Sequence, residues 1–138
     1  MTTSRIRFGT QPGSPALTGP GIALAAERRE YPTAGGPVWI HGCCRLAKED
    51  LAGDRKEMMR GVFVTAVEAF RQNSATAALI GEHLVFDDDV EDLGGDYLAF
   101  FSFDLMETVP IPKAPFTFTV HASFFHYLSN VLLIRFTG

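Results

Sequence analysis

Pro115-Phe116-Thr117-Phe118-Thr119-Val120-His121-Ala122-Ser123 decides the fold class of this chain. Its apolar residues fall on every second position. Phe116, Phe118, Val120 and Ala122 share one side, and Thr117, Thr119, His121 and Ser123 share the other. Neighbours on a strand point to opposite faces, whereas a helical face needs spacings of three and four. Aromatic and β-branched types fill the run, and they suit a pleated, half-buried surface. The stretch is predicted to be a strand with one face in the core.

The same period recurs outward from it. Asn130 to Phe136 reads as the partner strand, joined through Phe124–Ser129. Tyr97 to Met106 sets Tyr97, Ala99, Phe101, Phe103 and Leu105 on one side. Val38 to Leu46 sets Val38, Ile40, Gly42 and Cys44 inward, with Trp39, His41, Cys43 and Arg45 on a mixed outer face. Ile22, Leu24 and Ala26 open a first strand that runs to Tyr31-Pro32, followed by a turn at Thr33–Pro37. A loop at Arg71–Thr76 leads to a strand at Ala77–Phe86.

Met58 to Phe70 carries two patterns at once. Met59, Val62, Phe63, Ala66, Val67 and Phe70 have helical spacing, but Val62–Val67 is rich in β-branched types. Gly61 weakens a helix by about 1 kcal/mol. With β neighbours on both sides, a strand at 61–69 is preferred to the helix. About seven strands separated by turns predict an all-β, two-sheet antiparallel β-sandwich over residues 21–138. Residues 1–20, with Pro12, Pro15 and Pro20, read as an irregular arm. Within it, Ile6 and Phe8 have the spacing to pair with a sheet edge.

A chain of 138 residues, 46% apolar and 20% charged, fits one globular domain that needs neither disulfides nor metal to fold. The 12 basic and 16 acidic residues leave a formal charge of −4. The basic residues are scattered as Arg28-Arg29, Arg55-Lys56 and Arg135, which argues against nucleic acid as a partner. No apolar run approaches the roughly 20 residues of a membrane span. MTTSRIRFGT lacks the apolar centre of a signal peptide, so a cytoplasmic location is expected. Cys43 and Cys44 are adjacent and would point to opposite faces of a strand, so reduced thiols are expected.

Two segments resemble immunoglobulin-like sandwich domains. Glu30-Tyr31-Pro32-Thr33-Ala34-Gly35-Gly36-Pro37-Val38 is similar to the passage from the first strand to the second. Pro115–Ser123 with Ser129-Asn130-Val131-Leu132 is similar to the closing hairpin of many bacterial members. The inter-sheet cysteine pair of antibody domains is absent, and Trp39 lies on the second strand, not the third. The resemblance implies an architecture and no activity, since this architecture hosts adhesins, inhibitors, enzyme appendages and metal binders alike.

Four constellations could carry chemistry. His41 and Cys43, with His121, offer imidazole and thiolate to a transition metal. A Cys–His nucleophilic pair needs a thiol of lowered pKa and an oxyanion hole, and no motif around Cys43 supplies them. Asp87, Asp88 and Asp89 begin an acidic run that could hold Ca²⁺, although the register of an EF-hand is missing. The connection Phe124-Phe125-His126-Tyr127-Leu128 is aromatic where hairpins place Gly, Asn and Asp. Phe124, Phe125 and Tyr127 are therefore candidate interface residues. No Walker loop, GxGxxG, HExxH or Gly-x-Ser-x-Gly occurs.

The preferred reading is a non-catalytic protein-binding or assembly module, without a cofactor, that contacts a protein partner or a second copy as a homodimer. The alternative is a small enzyme, or the metal-binding partner of an enzyme, using His41, Cys43 and His121.

Overall fold

The alternation at the decisive stretch is realised residue by residue. Phe118, Val120, Ala122 and Phe124 are buried, while Thr117, Thr119, His121 and Ser123 are half-buried on the opposite face. The computed structural model describes residues 6–9, 13–33, 35–51, 61–68, 74–78, 90–109 and 116–137. Seven strands of five or more residues carry the structure among them. These are β2 (Gly21–Ala26), β4 (Trp39–Ala47), β5 (Val62–Glu68), β6 (Ser74–Ala78), β8 (Asp96–Asp104), β9 (Thr117–Phe124) and β11 (Leu132–Thr137). Shorter pieces complete the set: β1 (Ile6–Phe8), β3 (Glu30–Pro32), β7 (Val90–Asp92) and β10 (Tyr127–Leu128).

The strands form two sheets. A five-stranded sheet has the order β1-β8-β4-β2, with β7 also on β8. A six-stranded sheet has the order β3-β11-β9-β5-β6, with β10 also on β9. All pairings among these strands are antiparallel except β3 with β11, which is parallel. The inner faces close on one core, built from Ile40, Cys44, Phe101 and Phe103 on one side and Val64, Phe118, Val120, Ile134 and Phe136 on the other. This is an all-β sandwich. Among the described residues, no helix is long and apolar enough to cross a membrane.

Packing explains the one glycine in the middle of a core strand. Gly42 faces Phe101 across the β4–β8 pair, and a Cβ on Gly42 would fall inside the Phe101 ring. The ring fills the space that the missing side chain leaves.

Three expectations about the strands are corrected. The predicted first strand divides into β2 and β3, which belong to different sheets. The charged bend Glu27-Arg28-Arg29 carries the chain across, and the buried phase shifts from even positions to Tyr31. Tyr31 fixes the second piece: its hydroxyl accepts the Arg28 N–H at 3.1 Å, and its ring meets Phe136 at 6.5 Å. The strand expected through Met106 turns helical at Leu105, forming α1 (Leu105–Thr108). Asp104 caps it, its Oδ1 accepting from Met106 N at 3.1 Å and from Val38 N at 3.0 Å. The strand placed at 77–86 starts earlier, at Ser74; its remainder lies outside the described residues. The strand expected at 61–69 is present as β5, rather than a helix.

Asn130 ties the sheets together at one corner. Its Oδ1 accepts the Leu24 N–H and its Nδ2 donates to the Leu24 C=O, both at 2.8 Å. The side chain thus stands in for a neighbouring strand on the free edge of β2. Within the arm, β1 pairs with β8, and Gly13 and Leu17 lie over the outer face of the five-stranded sheet. Arg45 Nη1 donates to the Leu17 C=O at 3.3 Å, and a Cβ on Gly13 would stand 3.9 Å from His41 Cδ2.

Candidate functional site

Two surfaces gather the residues with chemical potential. The first is the outer face of the five-stranded sheet, beneath the arm. The β4–β8 register sets His41 opposite Ser102. His41 Nδ1 lies 2.6 Å from Ser102 Oγ, and Nε2 lies 2.9 Å from Glu27 Oε2. A neutral imidazole protonated on Nε2 donates to Glu27 and accepts the Ser102 hydroxyl at Nδ1. Serine, histidine and carboxylate then stand in the polarity of a nucleophilic triad. Ser102, however, is fully buried and His41 only 3% exposed, so no substrate carbonyl reaches the hydroxyl. The arrangement as built is a polar clamp that joins the bend after β2 to β4 and β8.

Cys43 shares this face. It and His41, expected on a mixed outer face, are both buried, with Gly13 and Leu17 lying over them. Burial pushes the Cys43 thiol up to about 11, against the opposing pull of a hydrogen bond to the Leu17 backbone and of the Arg45 charge. It is protonated at neutral pH and is a poor nucleophile and a poor metal ligand. Cys44 lies in the core, where burial raises its thiol further. Both cysteines are free.

His121 sits on β9, on the outer face of the other sheet, so the sandwich core separates it from His41 and Cys43. The structure does not bring these three together. Among the described residues, no group of three or more His, Cys, Asp or Glu is placed to hold a metal ion. Asp87, Asp88 and Asp89 lie outside the described residues.

The second surface is the outer face of the six-stranded sheet. Cross-strand register builds it in rows: Leu128, Ser123 and Phe63; His121, Thr65 and Thr76; Leu133, Thr119 and Val67; Arg135 and Thr117. Among the described residues, the last row continues to Glu30 on β3, so the titratable side chains of these rows are His121, Arg135 and Glu30. Phe63 is 43%, Leu128 72% and Leu133 58% exposed. The threonines support one another, with Thr65 Oγ1 2.9 Å from Thr76 Oγ1. Among the described residues, the result is a surface of hydroxyl, methyl and aromatic groups with its permanent charge at one end, at Arg135 and Glu30.

The aromatic turn lies at the end of this face. Phe124 is buried in the core, Phe125 is 47% exposed and Tyr127 is half-buried, so the three do not form one exposed patch. Phe125 adopts a φ of 55°, in the left-handed region. Its ring meets Phe124 edge-on at 4.8 Å and lies over Gly61, where a Cβ would come within 2.9 Å of it.

Sequence reasoning passed over Ser102, Glu27, Phe63 and Leu133 as site residues, and took in Leu128 only as the end of the aromatic turn. A signal existed for two of them. Phe63 and Leu133 are large apolar residues on the solvent phase of their strands, where alternation alone expects polar types. No protein-family model, curated protein or solved structure matches this chain.

Proposed function

We propose that this chain is a non-catalytic protein-binding or assembly module on an immunoglobulin-like sandwich, working through the outer face of its six-stranded sheet. The strand order supports the architecture. The path β2-β4-β8, closed by β7, against β11-β9-β5-β6 follows the A-B-E-D and G-F-C-C′ order of that class.

One observation carries the functional reading. In a chain with 20% charged residues, the described rows of this face confine permanent charge to the last one, Arg135 beside Glu30, and hold three exposed large apolar side chains. Interfaces are depleted of charge at their centres, and soluble proteins keep large exposed apolar patches where they are used. Phe125 adds support. A positive φ at a non-glycine residue costs about 1–3 kcal/mol, yet this turn places an aromatic ring there, beside Phe63's end of the face.

A second copy of the chain is the occupant that suits this surface. A two-fold contact sets like residues near one another. Among the described residues, this face places its permanent charges, Arg135 beside Glu30, in the last row and leaves the centre uncharged, so little repulsion opposes pairing. Sedimentation velocity over a concentration series tests the reading. The wild type is expected to dimerise in the micromolar range. Phe63→Ser combined with Leu133→Ser should weaken dimerisation about tenfold or more with little change in melting temperature, since both residues face solvent. A wild type that stays monomeric at hundreds of micromolar overturns it.

A further inference from the structure

A groove of about 300 Å³ opens at the corner where the two sheets meet, lined by Ala26, Arg28, Arg29, Val131, Leu132 and Leu133. Its volume is at the lower end of the roughly 300–1,000 Å³ of small binding clefts. Three properties converge on it. The first is charge. The ion pairs among the described residues are Glu27 with His41, Asp96 with Arg45 and Asp92 with Lys48. Among the described residues, neither groove arginine is paired with a carboxylate, and both are exposed. The Arg28 guanidinium is held 4.8 Å from the centre of the Tyr31 ring. The flanking acids are turned to other partners, Glu27 to His41 and Glu30 to the register position beside Arg135, which leaves the two guanidiniums for a ligand.

The second property is apolar surface. Val131 is 63% and Leu133 58% exposed beside these arginines. The third is backbone. Along β11, Phe136 N donates to Phe116 O on the β9 side, whereas Arg135 N donates to Arg29 O on the β3 side. Alternation turns the Leu133 N–H and C=O to the β3 side as well. The β3 register starts only at Arg135, so none of the described strands is paired with Leu133 on that side. The neighbouring edge of β2 is closed by Asn130 at Leu24.

We infer that this groove binds a short, extended, acidic segment of a protein partner. An apolar side chain of the segment packs on Val131, Leu132 and Leu133. Flanking carboxylates pair with Arg28 and Arg29, and the segment's backbone adds to the open stretch of β11 at Leu133. This inference rests on the reading of the chain as a protein-binding module and names the chemistry of one partner.

The test titrates the full-length protein with a fluorescent peptide that alternates Asp with Leu and Val, alongside Asn-substituted and Lys-substituted versions. The acidic peptide should bind at least about tenfold more tightly than the Asn version, and its affinity should fall with added salt. In ¹⁵N-correlated spectra its shifts should centre on Arg29, Leu132 and Leu133. Arg28→Gln with Arg29→Gln should remove the preference for acid, and Arg29→Glu should move it toward the Lys peptide. Arg29 contacts solvent and Arg28 stacks on Tyr31, so the single Arg29 variant keeps the result interpretable if the double variant loses stability. Equal affinity for the three peptides, or shifts centred elsewhere, overturns the inference. If the peptide fails while Phe63→Ser with Leu133→Ser still weakens dimerisation, the groove assignment alone falls. If the peptide binds and the wild type is monomeric, the sheet-face reading falls instead.

Discussion

Gly42 shows how narrowly a single position is determined. A methyl group there has no room, because the Phe101 ring occupies the space. Gly42→Ala should cost about 1–3 kcal/mol through overpacking, read as a shift of the urea midpoint. Gly95→Ala, where a Cβ meets nothing within 4 Å, serves as the control and should change stability by less than about 0.5 kcal/mol. The thiols supply a second prediction at this scale. The folded Cys43 thiol titrates at about 11 against a reference value of 9.0, so the folded state holds its proton more tightly. Stability from this group is intact below about pH 9 and declines as pH rises toward 11. Cys44 and Tyr31 are raised by burial and act in the same direction. Urea midpoints should therefore fall across this window, and Cys43→Val should make the fall shallower. A midpoint that holds or rises from pH 9 to 11 would contradict the buried, protonated thiol.

Among the elements, the corner where Asn130 meets β2 is the most informative. Its amide makes one donated and one accepted hydrogen bond to the Leu24 backbone. Asn130→Ala leaves both Leu24 groups without that partner and should cost about 1–3 kcal/mol. Asn130→Asp keeps an acceptor but turns an oxygen toward the Leu24 C=O, so it should not restore stability. Equal denaturation midpoints for wild type and both variants would show that the corner is held by something else. The long strands were legible in the sequence because each buries one face, and burial writes a period of two into the residues. The corner was not. A strand that changes sheets, as at Glu27-Arg28-Arg29, and a strand that curls into α1 at Asp104 depend on partners far away in sequence, such as Val38 for Asp104 and Phe136 for Tyr31. Periodicity carries no information about which sheet a strand joins.

At the scale of the whole molecule, the sandwich has two outer faces of different character. One is covered in part by residues 13–17 of the chain's own arm, and His41, Cys43 and Ser102 are buried there. The other, among the described residues, exposes Phe63, Leu128 and Leu133 and keeps its permanent charge at one end. The sequence exposed His41, Cys43 and the aromatic turn as unusual, but it could not show that the arm lies over the first two or that Phe124 turns inward while Phe125 turns out. It also gave no reason to group Phe63, Leu128 and Leu133, which lie far apart in the chain and meet only through the β5–β9 and β9–β10–β11 registers. Assembly through that open face is tested most directly by isotope-filtered nuclear Overhauser spectra on an equal mixture of ¹³C-labelled and unlabelled protein. Intermolecular contacts are expected at the Phe63 ring and at the methyl groups of Val67 and Leu133. Contacts confined to the five-stranded sheet, or none at concentrations well above the micromolar range, would contradict it.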